Sequence, residues 1–418
     1  MMKLFLLLIL STPVLASETI DDKLSGYIKE FNLTTLEGPG MRRQKLFILG
    51  RNLFHERGLS GNNNIRCEDC HHPRVMTHDG IPLGLGEGST GIQAGERIRH
   101  QGTSKILARN TPALFNLHNV NVMFWDGRVE YNPETGVFTT PVPLQTHVAA
   151  TLKSALAAQA IFPMVDHAEM RGQKGSNPIA DAKNEYEAWE MIVEKVLKLP
   201  GYLEAFAEVY PGEKINIGHF GEALAEFQSQ AFYFSDTPYD RYIKGDIEAL
   251  TPKQKLGMEV FFNKGKCGDC HHSEHLSALD FDGVGSPQIG PGKHNGDDFG
   301  RYEWDGDEGS KYAFRVPPLR NVGLTAPYFH NGSIKTLEQL VEHYDDIKAS
   351  LEGFTLSGQM PNYVELIKDH DHSTNEARYA NFPEDLPLKL FFTEEEEEAL
   401  VDFLRYGLTD VRLHGNIK

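Results

Sequence analysis

Cysteine, tryptophan and positive charge are all scarce in this chain. Its 418 residues include four cysteines and three tryptophans, and 41 lysines and arginines stand against 59 aspartates and glutamates. The net charge of -18 sets nucleic acid aside as a partner, because such a surface repels a polyanion. Four cysteines are too few for a disulfide-built scaffold. Beyond residue 16 no stretch is apolar enough to cross a bilayer. The rest is ordinary for a globular protein: 40% hydrophobic, 24% charged, and long enough for two or three domains around a sizeable core.

The first residues carry an export pattern. Lys3 precedes a continuous apolar run over residues 4–10, and Val14-Leu15-Ala16 offers a small-residue cleavage site. The expectation is a signal peptide over residues 1–16 and a mature chain in the periplasm. The alternative is a buried N-terminal helix. No cysteine follows Ala16, so no lipid anchor is expected.

All four cysteines fall in one pattern used twice, Cys67-Glu68-Asp69-Cys70-His71 and Cys267-Gly268-Asp269-Cys270-His271. Two thiols three residues apart on a turn reach the two vinyl groups of one porphyrin. The adjacent histidine then sits beneath the iron. A dithiol redox pair would not need the histidine twice. A zinc site would want its second pair close by, whereas these begin at 67 and 267. The expectation is two covalently bound haem c groups, attached through Cys67, Cys70, Cys267 and Cys270, with His71 and His271 as iron ligands. His72 and His272, next in line, read as surface residues.

The chain also repeats itself around these motifs. Leu49-Gly50-Arg51-Asn52-Leu53-Phe54 stands before the first and Leu256-Gly257-Met258-Glu259-Val260-Phe261 before the second, each with the spacing of an amphipathic helix. Further on, Pro112, Leu114, Asn116, Phe124 and Gly127 match Pro317, Leu319, Asn321, Phe329 and Gly332 at a constant offset of 205, without a gap. Self-similarity of this kind means two copies of one unit. The predicted fold is mainly α: two cytochrome c-like haem domains arising from an internal duplication, over residues 17–236 and 237–418. The turn Ser235-Asp236-Thr237-Pro238 parts them. Residues 184–234 have helical spacing, and the Gly-, Asp- and Ser-rich residues 273–312 read as loop. Thr393 caps a closing helix over 393–408, whose run of five glutamates suits the N-terminal end of a helix dipole.

Function turns on what stands opposite each proximal histidine. A filled sixth position stores or passes electrons, whereas an open one binds peroxide or oxygen. After the second motif, Thr325-Ala326-Pro327-Tyr328-Phe329-His330-Asn331-Gly332 leads into a helix over about 336–345 that carries Tyr344. The offset of 205 places Thr139 at the corresponding point of the first half, and Thr139, Thr140 and Pro141 are poor iron ligands. The first haem is therefore expected to be open and the second closed.

With Arg109-Asn110-Thr111-Pro112, Phe124-Trp125-Asp126-Gly127-Arg128, Pro318-Leu319-Arg320-Asn321 and Thr325-Ala326-Pro327-Tyr328-Phe329-His330, the chain resembles the bacterial dihaem cytochrome c peroxidase and MauG family. The resemblance runs from about Met41 to Leu408. It implies that the N-terminal haem reacts with hydrogen peroxide while the C-terminal haem relays electrons, with Trp125 between them. It implies Glu169, in Ala168-Glu169-Met170, as the acid–base group, since peroxide cleavage needs a proton taken from one oxygen and given to the other. Taken bare, Glu169 would read as a solvated acid and Trp125 as core. The resemblance also implies a homodimer, and a calcium ion between the domains held by Asn110, Thr325 and Pro327. Those ligands act mostly through backbone oxygens, as a hard cation prefers.

One position departs from the peroxidases of that family, which carry a methionine where this chain has Tyr344. MauG-like members carry a tyrosine. The one methionine after the second motif is Met360. Tyr344 is the preferred sixth ligand over Met360; a phenolate lowers the potential of the iron where a thioether raises it. His100 lies where some family peroxidases carry a removable distal histidine, though its register to Arg109-Asn110 differs. His330 stands at the duplicated position of Trp125, near the second haem. Three functions follow. The leading one is a dihaem c-type peroxidase fed by a small cytochrome c or copper-protein donor. The second is a MauG-like enzyme that uses peroxide to oxidise a partner protein through high-valent haems. The third is a plain electron-transfer cytochrome, which would need a sixth ligand on both haems.

Overall fold

The computed structural model describes residues 18–91, 105–293, 297–355, 382–383 and 386–417. The export pattern over residues 1–16, His100 and Met360 lie outside them. The chain is mainly helical with a few short strands. Among the described residues no helix is long and apolar enough to cross a membrane.

Helix α1 (Ile20–Glu30) begins with a reciprocal cap between Thr19 and Asp22. It packs on the second half of the chain, not the first. Leu24 and Leu33 join the second apolar core, the Tyr242 hydroxyl donates to Asp21 at 2.6 Å, and Lys255 pairs with Asp21 at 2.8 Å. A division at residue 17 would place this helix with the wrong core, because its apolar stripe finds its partners across the molecule.

Helix α2 (Gln44–Phe54) crosses α3 (Ile217–Ala231) at Gly50, where an added Cβ would collide with the Ala223 carbonyl and crowd Phe227. Helix α4 (Pro252–Phe262) crosses α5 (Glu394–Asp402) at Gly257, where a Cβ would collide with the Ala399 carbonyl and crowd Phe403. Only glycine lets the backbones meet at these two crossings. Each crossing anchors its own apolar core: one holds Leu49, Phe54 and Phe220, the other Phe261, Leu400 and Phe403. Helix α5 is capped by Thr393 and Glu396, and its chain continues into a wider turn over Phe403–Gly407.

Residues at the offset of 205 share unusual backbone conformations. Asn116 and Asn321 have φ of 59° and 67°, Phe124 and Phe329 of 67° and 69°, and Gly127 and Gly332 of 66° and 71°. All lie in the left-handed region, which few non-glycine residues enter. Both asparagines donate through Nδ2 to one carbonyl, that of Phe234, at 2.8 and 2.9 Å. Their Oδ1 atoms accept from the Phe234 and Asp410 N–H groups, at 2.8 and 2.9 Å.

The correspondence ends beyond Gly127 and Gly332. Strands β1 (Val122–Met123), β2 (Val129–Asn132) and β3 (Val137–Thr139) form an antiparallel ribbon in that order. Thr139 is exposed at its edge. In the second half the chain instead turns into the Leu337–Asp345 helix. The offset therefore does not make Thr139 the structural counterpart of Tyr344. Residues 184–234 form three helices, Glu185–Leu197, Tyr202–Val209 and α3. Residues 273–312 are mostly loop but include β4 (Phe281–Asp282), which pairs with β5 (Phe314–Arg315).

Candidate haem-binding active site

Cys67–Cys70 is a single helical turn, begun by an Arg66 N–H that donates to Asp69 at 3.1 Å. Neither of its two cysteines forms a disulfide, and nor do Cys267 and Cys270. His71 ends the turn with Nδ1 3.0 Å from the Thr77 carbonyl. A carbonyl only accepts, so Nδ1 carries the proton and the Nε2 lone pair is left for a metal. Burial pushes the His71 pKa down to about 4, which keeps the ring neutral at pH 7. Burial likewise pushes the Cys67 thiol up to about 12.

These groups open on a cavity of about 340 Å³ also lined by Phe54, Leu114, Trp125, Arg128 and Glu169. Apolar walls, two cysteines outside any disulfide and one neutral imidazole with an open nitrogen fit a covalently attached haem. Glu169 lies on the turn His167–Arg171, whose first N–H groups, of Ala168 and Glu169, donate to Asp166 at 2.7 and 3.0 Å. Burial, helped by the negative charge of Asp166, pushes the Glu169 carboxyl up to about 7, against the pull of Arg128 and Lys293. A carboxyl poised there exchanges a proton readily at neutral pH.

The second motif repeats the arrangement. His271 Nδ1 lies 2.9 Å from the Leu276 carbonyl, and burial pushes its pKa down to about 4. The Cys270 thiol donates to Asp282 at 3.2 Å. Thr336 caps the Leu337–Asp345 helix, accepting from the Gln339 N–H at 3.2 Å, and that helix carries Tyr344. The Tyr344 ring meets Phe329 edge-on, with centroids 6.2 Å apart. Burial raises the Tyr344 pKa above the ordinary phenol range, and Cys267, Cys270 and Asp282 raise it further. Tyr344 therefore lies within electrostatic reach of the second pair of thiols. A phenolate at that place needs a cation beside it.

Between the motifs stands Trp125, whose Nε1 donates to the Asn110 carbonyl at 3.0 Å. It lines the first cavity and also a smaller one of about 120 Å³, shared with Asn110, Thr325 and Pro327. Asn110 Nδ2 donates to the Pro327 carbonyl at 2.8 Å, while its Oδ1 is buried without a hydrogen-bond partner. Bringing Oδ1 toward a calcium ion beside the Pro327 carbonyl would require the amide to be turned over, exchanging Oδ1 and Nδ2 and giving up the hydrogen bond to Pro327. No cluster of three His, Cys, Asp or Glu suited to a metal occurs among the described residues. His330 stacks flat on Phe314 at 3.6 Å, with Nδ1 3.3 Å from the Ser286 hydroxyl. His72 and His272 are half-buried.

A buried ionic network beside Trp125 escaped the sequence reading. Asp126 meets Arg109 at 2.5 Å, Arg128 at 3.0 Å and Lys293 at 3.3 Å. Arg109 also forks onto Asp298 at 2.6 and 2.8 Å. Arg109, Asp126 and Arg128 lie in motifs quoted above. Lys293 and Asp298 come from a stretch with no motif and meet them only in the fold.

A family model described as di-haem cytochrome c peroxidase matches residues 44–248, and one for RoxA-like, cytochrome c-like proteins matches residues 313–348. Cytochrome c551 peroxidase of Pseudomonas aeruginosa is 26% identical over 343 residues, 80% of this chain and 82% of that protein. Methylamine utilization protein MauG of Methylorubrum extorquens is 26% identical over 315 residues, 75% of this chain and 71% of that one. Cytochrome c peroxidase Ccp of Escherichia coli is 30% identical over 300 residues, 70% of this chain and 51% of that protein. The diheme peroxidase BthA from Burkholderia thailandensis shares the fold, with a TM-score of 0.62 at 19% identity over 92% of each chain. With two such cysteine motifs and relatives of both kinds along most of its length, this chain belongs to the di-haem cytochrome c peroxidase and MauG family.

Proposed function

We propose that this protein is a di-haem c-type peroxidase. Hydrogen peroxide is reduced at the haem held by Cys67, Cys70 and His71, and electrons arrive through the haem held by Cys267, Cys270 and His271. The observation that carries the reading is Glu169, which shares a cavity with His71 and has a carboxyl pushed up to about 7. When bound, the haem iron supplies the position for peroxide and the exchange of electrons. Glu169 takes the proton from the peroxide oxygen nearer the iron and returns it to the departing one. Two electrons and two protons enter per peroxide, and two waters leave. His71 stays neutral and fixed by Thr77. Trp125 spans both cavities and relays electrons between the halves.

Around that centre, Asn110, Thr325 and Pro327 hold a calcium ion that fixes the halves together. The matched glycine crossings and asparagines support two duplicated haem units, divided near residue 236. Residues 1–16 direct the chain to the periplasm. A small cytochrome c or copper protein supplies electrons there, and the chain pairs as a homodimer.

Tyr344 favours a second reading, a MauG-like enzyme that oxidises residues of a partner protein. It lies buried within electrostatic reach of Cys267 and Cys270, and on this reading it would ligate the second iron. Stoichiometry tests the peroxidase reading. The holoprotein is mixed with peroxide and reduced small c-type cytochromes or copper proteins. Two equivalents of one-electron donor should be oxidised per peroxide. A protein carrying both haems that consumes peroxide but oxidises no donor would sink the peroxidase reading and leave the MauG-like one.

A further inference from the structure

Arg315 is held rigidly between the two halves. It lies on β5, its N–H donates to the Trp125 carbonyl at 2.8 Å, and its Nε donates to the Phe124 carbonyl at 3.1 Å. The residue is 7% exposed, and its Nη1 is buried without a hydrogen-bond partner. The neighbouring arginines are all paired: Arg109 with Asp126 and Asp298, Arg128 with Asp126, Arg301 with Glu130, and Arg320 with Asp240. Arg315 has no such partner among the described residues. Burial pulls its pKa down to about 10, and no carboxylate among the described residues acts against that.

A guanidinium stays charged near neutral pH, and a buried charge without a counter-ion is among the costliest features a fold can carry. The polypeptide described here does not supply the anion. Arg315 lines the cavity that holds Cys67, Cys70 and His71, and also the smaller cavity behind Trp125. A haem brings two carboxylates of its own.

We infer that Arg315 binds a propionate carboxylate of the first haem, pairing the buried guanidinium with the cofactor beside the Trp125 relay. This rests on the reading that the first motif carries haem. It makes Arg315 a positioning residue. The Phe124 carbonyl holds the guanidinium through Nε while the Trp125 carbonyl holds the Arg315 backbone, and the guanidinium fixes one edge of the cofactor against Trp125. Its positive charge also favours the reduced form of the nearby iron.

The test separates the inference from the reading beneath it. Haem content comes first, by the pyridine haemochrome method on the purified holoprotein. A first motif without haem defeats the reading and the inference with it. A crystal structure of the holoprotein then decides the inference alone. A propionate oxygen of the first haem should lie within about 3.2 Å of an Arg315 Nη atom. A distance beyond about 4 Å, or a chloride or second-haem propionate in that place, overturns it. A redox titration gives a second readout. Arg315→Met should shift the reduction equilibrium of the first haem about tenfold toward the oxidised form, which is 59 mV for one electron. Arg315→Lys should recover most of it, whereas a purely structural role predicts no recovery. An unchanged equilibrium in Arg315→Met also overturns the inference.

Discussion

Replacing Glu169 with glutamine keeps the size and hydrogen-bonding reach of the side chain and removes its proton exchange. In the wild type the carboxyl is pushed up to about 7, chiefly by burial and then by Asp166. The form that takes the proton from peroxide is the carboxylate. Its population is roughly a tenth one pH unit below that value and roughly nine tenths one unit above. The peroxide reaction should therefore rise as pH increases, by about tenfold from pH 6 to a plateau above pH 8, with an inflection near 7. The glutamine variant should lose about 100- to 10,000-fold and show no inflection. The assay is stopped-flow absorbance of the holoprotein against peroxide from about pH 5 to 9, with haem content measured in parallel. Asp166 is the nearest rival acid, but its carboxylate already accepts from the Ala168 and Glu169 N–H groups. A glutamine variant that reacts at the wild-type rate removes Glu169 from the chemistry. One that is slow yet keeps the inflection assigns that inflection to another group.

Tyr344→Met should replace the low-spin electron paramagnetic resonance signal of the oxidised second haem and raise its reduction potential by on the order of 100 mV, since the axial ligand governs the potential. An unchanged signal would leave Tyr344 as a core residue and strengthen the ordinary peroxidase reading. Gly257→Ala should destabilise the second half by about 3 kcal/mol, the upper range for overpacking, because backbone as well as side chain obstructs the new methyl at the crossing with α5. Gly50→Ala should do the same for the first half. Thermal melting that moves by less than about 1 °C in either variant would contradict these crossings.

The di-haem family was legible in the sequence because the attachment of a c-type haem demands a fixed spacing of two thiols and a histidine, which this chain shows twice. The offset of 205 was legible for a different reason. Asn116 and Asn321 each hold a left-handed turn against the Phe234 carbonyl, so their positions tolerate little change of type. Where no such local demand exists, the sequence was silent. Helix α1 reads as any amphipathic helix, and nothing in it says that Leu24 joins the second core. Thr139 was misplaced because a constant offset cannot register the exchange of a helix for a ribbon. Lys293, Asp298 and Arg315 were overlooked because their meaning lies in groups far away in sequence: two of them have charged partners there, and the third lacks a carboxylate among the described residues.

The choice between peroxidase and MauG-like chemistry falls on the second half alone. In both readings Glu169 serves peroxide at the first motif, so that cavity does not discriminate. Tyr344 does. Its hydroxyl is held neutral by burial and by the charge influence of Cys267, Cys270 and Asp282. A metal cation beside it would draw off that proton, and an oxidised iron would do so more strongly than a reduced one. On the MauG-like reading, ligation by Tyr344 would therefore be tied to the oxidised state. A haem held this way resists the electron that an ordinary peroxidase keeps waiting there. Such a second half is suited to sharing the oxidising equivalents created at the first through Trp125 and drawing replacement electrons from whatever docks outside. Without that ligation, the same fold stores an electron and works as a peroxidase. One tyrosine proton thus separates the two functions, and the spectrum of the Tyr344→Met variant reads its state directly.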